Sequence, residues 1–587
     1  MSERRPGVEA QPMLAFGAAA LARIGAQAGQ EWRQSRFYRA LLRGPPVEGL
    51  ASTPRDVRPA DAEIGRGILN GRVVLAGETL EIGQGGDPWD TASPSRAFAV
   101  ELHRFVWLPS LLQAAEPAQP SRPVEEALRL SLDWLELFLP ITPFAWGPET
   151  LERRVYNLAC AVPRLVGIAS ELERRRLLGA LAEQARHLLN LRLGPLRAAE
   201  RAAAAAVAGA VLSGKAGATL LARAMPRLVG ALAHAVEPDG GLKSRSPEQT
   251  MELLLDLLTL DDALDQRRVR TPEALSRAID RLAAAVRFFT LGDGLLGAFQ
   301  GGASASAARV AAAVAHEDAD ARPYGFAPHS GYHRLDGRQV QVLIDTAPAA
   351  VGAWSLAACA QPLAFELSCG ADRMIVNAGW SPDAQGPQAL RLTGAGSTAS
   401  LGDGTTAAPL AGLLGSSLGP RLVGGPTKVE VRRNENETGV WLELSHDGWA
   451  ASHGLVHERR LYLDFKAQEL RGEDRFAPAP PVRPQGRPRA RRPRLEPFTL
   501  HFHLHQEVQA SVARDGRSVL LRGPSNKGWW FRNDAPDVAL EASVHFDAGL
   551  PRRTRQIALR GAIGLDGVMR VRWKLTPVES FEQPPIR

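Results

Sequence analysis

Lysine is nearly absent from this chain. Only Lys215, Lys243, Lys428, Lys466, Lys527 and Lys574 occur among 70 basic residues, so almost all of the positive charge is arginine. Such a bias becomes a recognition surface only where the arginines cluster. Cysteine is also scarce: Cys160, Cys359 and Cys369 are too few and too odd in number for a disulfide framework. Cys359 and Cys369 are close enough in sequence to pair across a hairpin, but buried free thiols are the favoured reading. With no CxxC, no thiolate zinc site is indicated. No apolar run approaches 18 residues, which excludes an obvious membrane-spanning helix. There is no P-loop, dinucleotide fingerprint, GxSxG or HExxH motif, and Asp293 and Glu317 do not form an obvious glycosidase pair.

What is present is a globular composition. The chain has 587 residues, 45% hydrophobic and 23% charged, with a formal net charge of +7. That is enough apolar mass for more than one core. The basic excess suggests a polyanion or membrane surface as partner. However, Arg483, Arg487, Arg489, Arg491, Arg492 and Arg494 all fall in one acid-free Pro/Arg stretch, residues 477–495. This stretch cannot bury apolar surface and is expected to be a disordered or polyproline loop, either a solvated linker or a tether for an anionic surface. Near the N-terminus, Arg4 and Arg5 precede the apolar stretch Met13–Ala22. Glu3, Glu9 and Arg23 spoil a signal-peptide reading, so an amphipathic helix and a cytoplasmic location are expected.

The first half shows apolar residues at three- and four-residue spacing over 94–113, 124–139, 147–169, 171–191, 196–213, 216–236, 246–261 and 272–290. Short Pro/Gly breaks between such helices imply antiparallel neighbours. Gly71–Gly83 alternates like a β ribbon. After an Ala/Ser connector from Gly301 to Ala315, alternating strands are predicted at 339–344, 363–367, 374–377, 428–432, 440–444, 459–463, 498–505, 518–522 and 568–575. Strands without intervening helices suggest a β-sandwich. The expected organisation is therefore α+β: a helical domain over 1–300 and a β-sandwich over 301–587, with the cleft between them as the default site.

Four groups carry candidate chemistry. Asp239–Pro247 (DGGLKSRSP) places Lys243 and Arg245 at a helix start, either an anion site or a plain turn capped by Ser246. Pro328–Leu335 places His329, Tyr332, His333 and Arg334 in one loop: a base, a phenol and an anion clamp, or an aromatic turn. His446 and Asp447 with His453 and His457 suit a base or metal set, or a hairpin turn. His501, His503 and His505 share one strand face.

In order along the chain, Trp107-Leu108, Trp146-Gly147-Pro148 with Arg153-Arg154, DGGLKSRSP, APHSGYHRL, LAFELSCGADRMIVNAG, SHDGW with GLVHERRLYLD and LRGED, and FTLHFHLH resemble the heparinase II/III family. The family's members are polysaccharide lyases with an α/α toroid followed by an antiparallel β-sandwich. The resemblance implies β-elimination at a uronic acid, with a cationic group on the carboxylate, a Tyr or His base and an acid on the leaving oxygen. It implies Tyr332, His329, His333 and His457 as catalytic, and Lys243, Arg245, Trp146, Arg334 and His446 as substrate contacts. An acidic polysaccharide is the expected partner, with no specific nucleic acid and no cofactor. It also makes the periplasm or cell envelope the alternative location.

The chain departs from the family at several positions. Leu242 stands where relatives carry His or Asn, and Phe299 lies where a tyrosine is expected. Cys359 or Gln361 stands in place of a histidine, and Asn377 in place of a metal-ligand aspartate, so the structural zinc of relatives lacks its ligands here. Two further readings are a relative that binds acidic glycan or cell-envelope polymer without cleaving it, and an interaction scaffold whose arginine loop binds nucleic acid or membrane.

Overall fold

A computed structural model describes residues 29, 31–114, 120–191, 193–315, 323–382, 388–480, 495–547, 550–564 and 568–578. The expected N-terminal helix at Met13–Ala22 and most of the Pro/Arg stretch lie outside these residues. The ends of that stretch are strand, since strands cover Glu469–Pro478 and Leu495–Leu504.

The helical layer follows the apolar periodicity closely. Helices cover Arg122–Phe138, Pro148–Val166, Glu171–Asn190, Ala198–Val211, Gly214–Ala235, Pro247–Gln266 and Glu273–Phe289. Local signals set their starts: Ser170 and Glu173 form a capping box, and Ser246 caps Gln249 with Pro247 following. The expected helix at 94–113 is instead two, Arg96–His103 and Trp107–Gln113, because Phe105 adopts φ +60° between them. Ala198–Val211 lies at the centre, packed against the four long helices that flank it in sequence order. Its alanines let those helices approach closely, and a Cβ on Gly209 would stand 2.7 Å from the Leu221 amide nitrogen. The ribbon Arg72–Leu75 with Glu78–Glu81 forms as expected.

The Ala/Ser connector does not stay irregular. Ala307–Val314 is a helix whose Val310 and Ala313 join the helical core. Beyond it two antiparallel sheets face each other across an apolar core. In the first sheet the strands run, edge to edge, Asp537–Asp547, Leu550–Gly564, Leu495–Leu504, Asp372–Val376, Phe365–Cys369, Val340–Asp345, Tyr332–Asp336 and Phe326–Ala327, with Ala399–Leu401 also pairing on Leu495–Leu504. In the second they run Val429–Asn436, Gly439–His446, Leu455–Asp464, Glu469–Pro478, Met569–Pro577, Gly528–Asn533, Val519–Arg522 and Gln509–Val512. The architecture is an α/α toroid followed by an antiparallel β-sandwich. Ala327, Tyr332 and Leu343 of the first sheet join the helical core, so the toroid packs on the outer face of that sheet, while the two sheets enclose a separate core of their own. All three cysteines are free.

Candidate functional site

The two loops singled out in the sequence meet at the junction of the domains. The Asp239 carboxylate accepts the backbone amides of His329 (2.8 Å) and Ser330 (2.9 Å) and the Ser330 hydroxyl. The Asp239 carbonyl accepts the Tyr324 hydroxyl at 2.6 Å. Glycine is required at two points of this interlock. Gly240 has φ +87° and a Cβ there would meet the Arg281 carbonyl at 1.9 Å; Gly331 has φ +75° and would meet Ala347 at 2.2 Å.

Arg245 crosses from one domain to the other, itself in the left-handed region at φ +65°. Its Nε donates to the Ser330 carbonyl (2.8 Å), Nη1 to those of Ala347 (3.1 Å) and Pro348 (2.9 Å), and Nη2 to Gly331 (2.8 Å) and to Asp345 Oδ1 (2.6 Å). A guanidinium has five N–H donors, and all five are used. Asp345 is held in turn by Gln300, whose Nε2 donates to Oδ2 at 2.7 Å. Tyr332 lies fully buried beneath Arg245, 4.9 Å from ring centroid to guanidinium, between Phe289 and Phe299. Its hydroxyl donates to the Arg245 carbonyl at 2.7 Å. Burial pushes the phenol well above its usual pKa, only partly offset by Arg245. Arg245 and Tyr332 are thus brought together as expected, but as a buried cross-domain tie.

The expected histidines do not join them. His329 is exposed and engages Asp239 through its backbone. His333 follows Tyr332 in a strand, so its ring leaves by the opposite face and stacks on Phe326. Burial, then Arg433, lowers its pKa to about 4. Arg334 returns to the Tyr332 face, where its Nη1 donates to the Phe288 and Thr290 carbonyls at the end of helix Glu273–Phe289. Lys243 is exposed, and Leu242 is buried in the helical core. Trp146 is buried in the toroid, its Nε1 donating to the Phe138 carbonyl at 2.7 Å.

His446 and His457 lie in the second sheet, buried and paired across neighbouring strands. The Gly448 amide donates to His446 Nδ1, which leaves the proton on Nε2 to reach His457 Nδ1 at 3.1 Å. His457 Nε2 then donates to Asp474 at 2.8 Å, as do Arg459 Nε and Trp573 Nε1. Burial pushes the Asp474 carboxyl up, but Arg459 and His457 outweigh it and hold it well below the usual range. Burial, followed by His457 and Arg459, keeps His446 neutral far below its ordinary pKa.

The zinc ligands implied by the family do not assemble. Both His457 nitrogens are engaged, Gln361 donates to the Leu390 and Leu392 carbonyls, and the Asn377 side chain bonds Ala298 and Ser397. Among the described residues no three His, Cys, Asp or Glu side chains are grouped to hold a metal.

A cavity of about 440 Å³ lies between the toroid and the sandwich, and it adjoins one of about 300 Å³ lined by the toroid alone, with Arg104, Arg153 and Arg197 lining both. Five arginines line them (Arg58, Arg104, Arg153, Arg197 and Arg309), but so do six carboxylates. The arginines are spent on those carboxylates and on Asp256 behind them. Arg58 reaches Asp256 at 2.6 Å and Arg153 pairs with the same group. Arg197 reaches Glu152 at 2.7 Å, and Arg309 pairs with Glu252. Burial pushes the Glu252 carboxyl up, but Arg309, Arg58 and Arg153 hold it down at about 2. Sequence reasoning missed this network because its members run from Asp56 to Arg309; only Arg153 fell inside a quoted motif.

A helical toroid joined to a β-sandwich across a polar cleft defines the architecture of the polysaccharide-lyase-like proteins. The "Heparinase II/III-like, C-terminal" family model matches residues 319–574. The chain is 51% identical, over 94% of both sequences, to "FtsZ-localized protein C" of Caulobacter vibrioides (strain NA1000 / CB15N). It superposes on the crystal structure of heparinase III with TM-score 0.67 at 14% identity, covering 95% of this chain and 92% of that one. For a mutant of the heparan sulfate lyase HepC from Pedobacter heparinus the values are 0.56 and 14%, over 93% and 88%. The chain belongs to the heparinase II/III family. No helix among the described residues is long and apolar enough to cross a membrane.

Proposed function

We propose that this protein is a non-cleaving member of its family, which binds an acidic glycan or cell-envelope polymer and associates with FtsZ. One observation carries the first part: every N–H of Arg245 and the one hydroxyl proton of Tyr332 are committed inside the protein. A lyase of this plan needs those groups free to meet a uronate and its α-proton. The cleft supports the same reading, since its carboxylates outnumber its arginines and do not attract a polyanion. The FtsZ association rests on the relative at 51% identity, whose name records localisation with FtsZ.

The alternative is a lyase using Tyr332, His329, His333 or His457 as base and acid. Incubation with polygalacturonate, alginate, hyaluronan and heparan sulfate decides between them, with heparinase III as the positive control. The expected result is no rise in the ultraviolet absorbance of unsaturated sugar. A rise that disappears in a folded Tyr332→Phe variant restores the lyase. For FtsZ, a fluorescent fusion should follow FtsZ in cells and disperse when FtsZ is depleted; a fusion that ignores FtsZ removes that part.

A further inference from the structure

The acidic partner needs a surface, and the toroid cleft is not it. The outer face of the second sheet carries a groove of about 520 Å³. Its floor is one cross-strand row: Trp441 opposite Tyr462, Tyr462 opposite Arg471, Arg471 opposite Lys574, and Lys574 opposite Arg532. The row crosses five strands, about 19 Å at the usual strand spacing. At one end Trp441 stacks on Tyr462, centroids 4.3 Å apart, and remains 44% exposed. Arg460 and Arg572 flank the row.

Charge is layered here. Glu469, which pairs with Arg471 and Lys574, is 10% exposed, and Glu473, which pairs with Arg460 and Arg572, is 18% exposed, whereas Arg471, Lys574 and Arg572 are 56%, 44% and 56% exposed; Asp534 also lines the groove. The carboxylates hold the cations upright and the cations face outward. A bare polyanion site would not need the aromatic ring; a sugar ring would, because its C–H face stacks on an indole while its carboxylate meets the arginines. The occupant is also not an extended peptide. The strands of this row are paired on both sides, so their backbone offers no free edge to a peptide's amides.

From this we infer that the outer face of the second sheet is a binding site for an acidic polysaccharide, with Trp441 as stacking platform and Arg471, Lys574 and Arg532 as carboxylate contacts. The inference rests on the acidic-glycan reading proposed above.

The test is affinity electrophoresis of the full chain through gels containing polygalacturonate, dextran or polyglutamate, with calorimetric titration of polygalacturonate oligomers. Polygalacturonate should retard the chain, less so as salt rises, and dextran should not. Arg471→Glu with Lys574→Glu should lower affinity about tenfold or more, and Trp441→Ala should lower it about threefold. Arg471→Lys, which keeps the charge, should retain binding. All three positions are surface side chains, and unchanged thermal melts confirm that the variants fold. If wild-type chain binds and every variant binds equally, the glycan sits elsewhere: this inference falls while the binding reading stands. If wild-type chain binds no acidic polysaccharide, both fall. Equal retardation by polyglutamate overturns the polysaccharide assignment.

Discussion

Replacing Arg245 with lysine keeps the positive charge but cuts the donors from five to three. An ammonium that stays with Asp345 can satisfy at most two of the four carbonyls of Ser330, Gly331, Ala347 and Pro348. At about 1–3 kcal/mol for each buried acceptor left without a partner, Arg245→Lys should destabilise the protein by about 2–6 kcal/mol. Arg245→Leu also strands the Asp345 carboxylate, which alone costs about 3–5 kcal/mol. Adding Asp345→Leu to Arg245→Leu removes that stranded charge, so the double variant should cost clearly less than the two single changes added together. The assay is urea unfolding of the full chain, followed by helical circular dichroism and by tryptophan fluorescence. Because the first sheet packs its outer face on the helical core and Arg245 ties the two, both signals should move to lower urea together. An Arg245→Lys midpoint equal to wild type refutes the tie. So does a variant of unchanged stability that has lost a polymer-cleaving activity, since Arg245 would then be serving substrate.

Two further outcomes follow from burial. His103, His187 and His545 have pKa values lowered to about 4 and His503 to about 3, chiefly by burial, against a usual 6.5. A lowered folded-state pKa means stability that is complete above pH 6.5 and lost as pH falls, about 3 kcal/mol per histidine by pH 4. His333 shifts the same way, so Glu200, raised to about 7 by burial and working in the opposite sense, is one group against five. The melting temperature measured from pH 8 to 4 should therefore hold near neutrality and drop between about 6.5 and 4; a flat profile contradicts the buried neutral rings. Gly209→Ala gains about 1 kcal/mol of helix propensity, but its methyl would stand 2.7 Å from the Leu221 backbone. Overpacking of about 1–3 kcal/mol wins, so thermal melts should show destabilisation; a stabilised variant would show that the two helices have room to part.

The helices were legible because their apolar faces keep a helical period over many turns, and the break at Phe105 was not, since its left-handed backbone follows from packing rather than residue type. Strands with one buried face alternated visibly. The hairpin Asp537–Asp547 with Leu550–Gly564 was missed because its first strand is half-buried on both faces up to Val544 and Pro551–Arg553 are exposed in a row, which erases the alternation. At the junction, DGGLKSRSP and APHSGYHRL were visible as motifs and do meet. Their bonding was not visible, because four of the five acceptors around Arg245 are backbone carbonyls, which every residue carries. His457 was visible too, but its partner Asp474 is set by strand register across Leu455–Asp464 and Glu469–Pro478.

The packing of the first sheet on the toroid and the Arg245 tie have a mechanical consequence. Jointed two-domain proteins absorb load by rotating about a linker. Here the connection runs through core side chains and a saturated guanidinium, so it has no joint to turn. Turning the first sheet on the helices would break the Arg245 tie and uncover Tyr332, so that sheet and the toroid should move as one body.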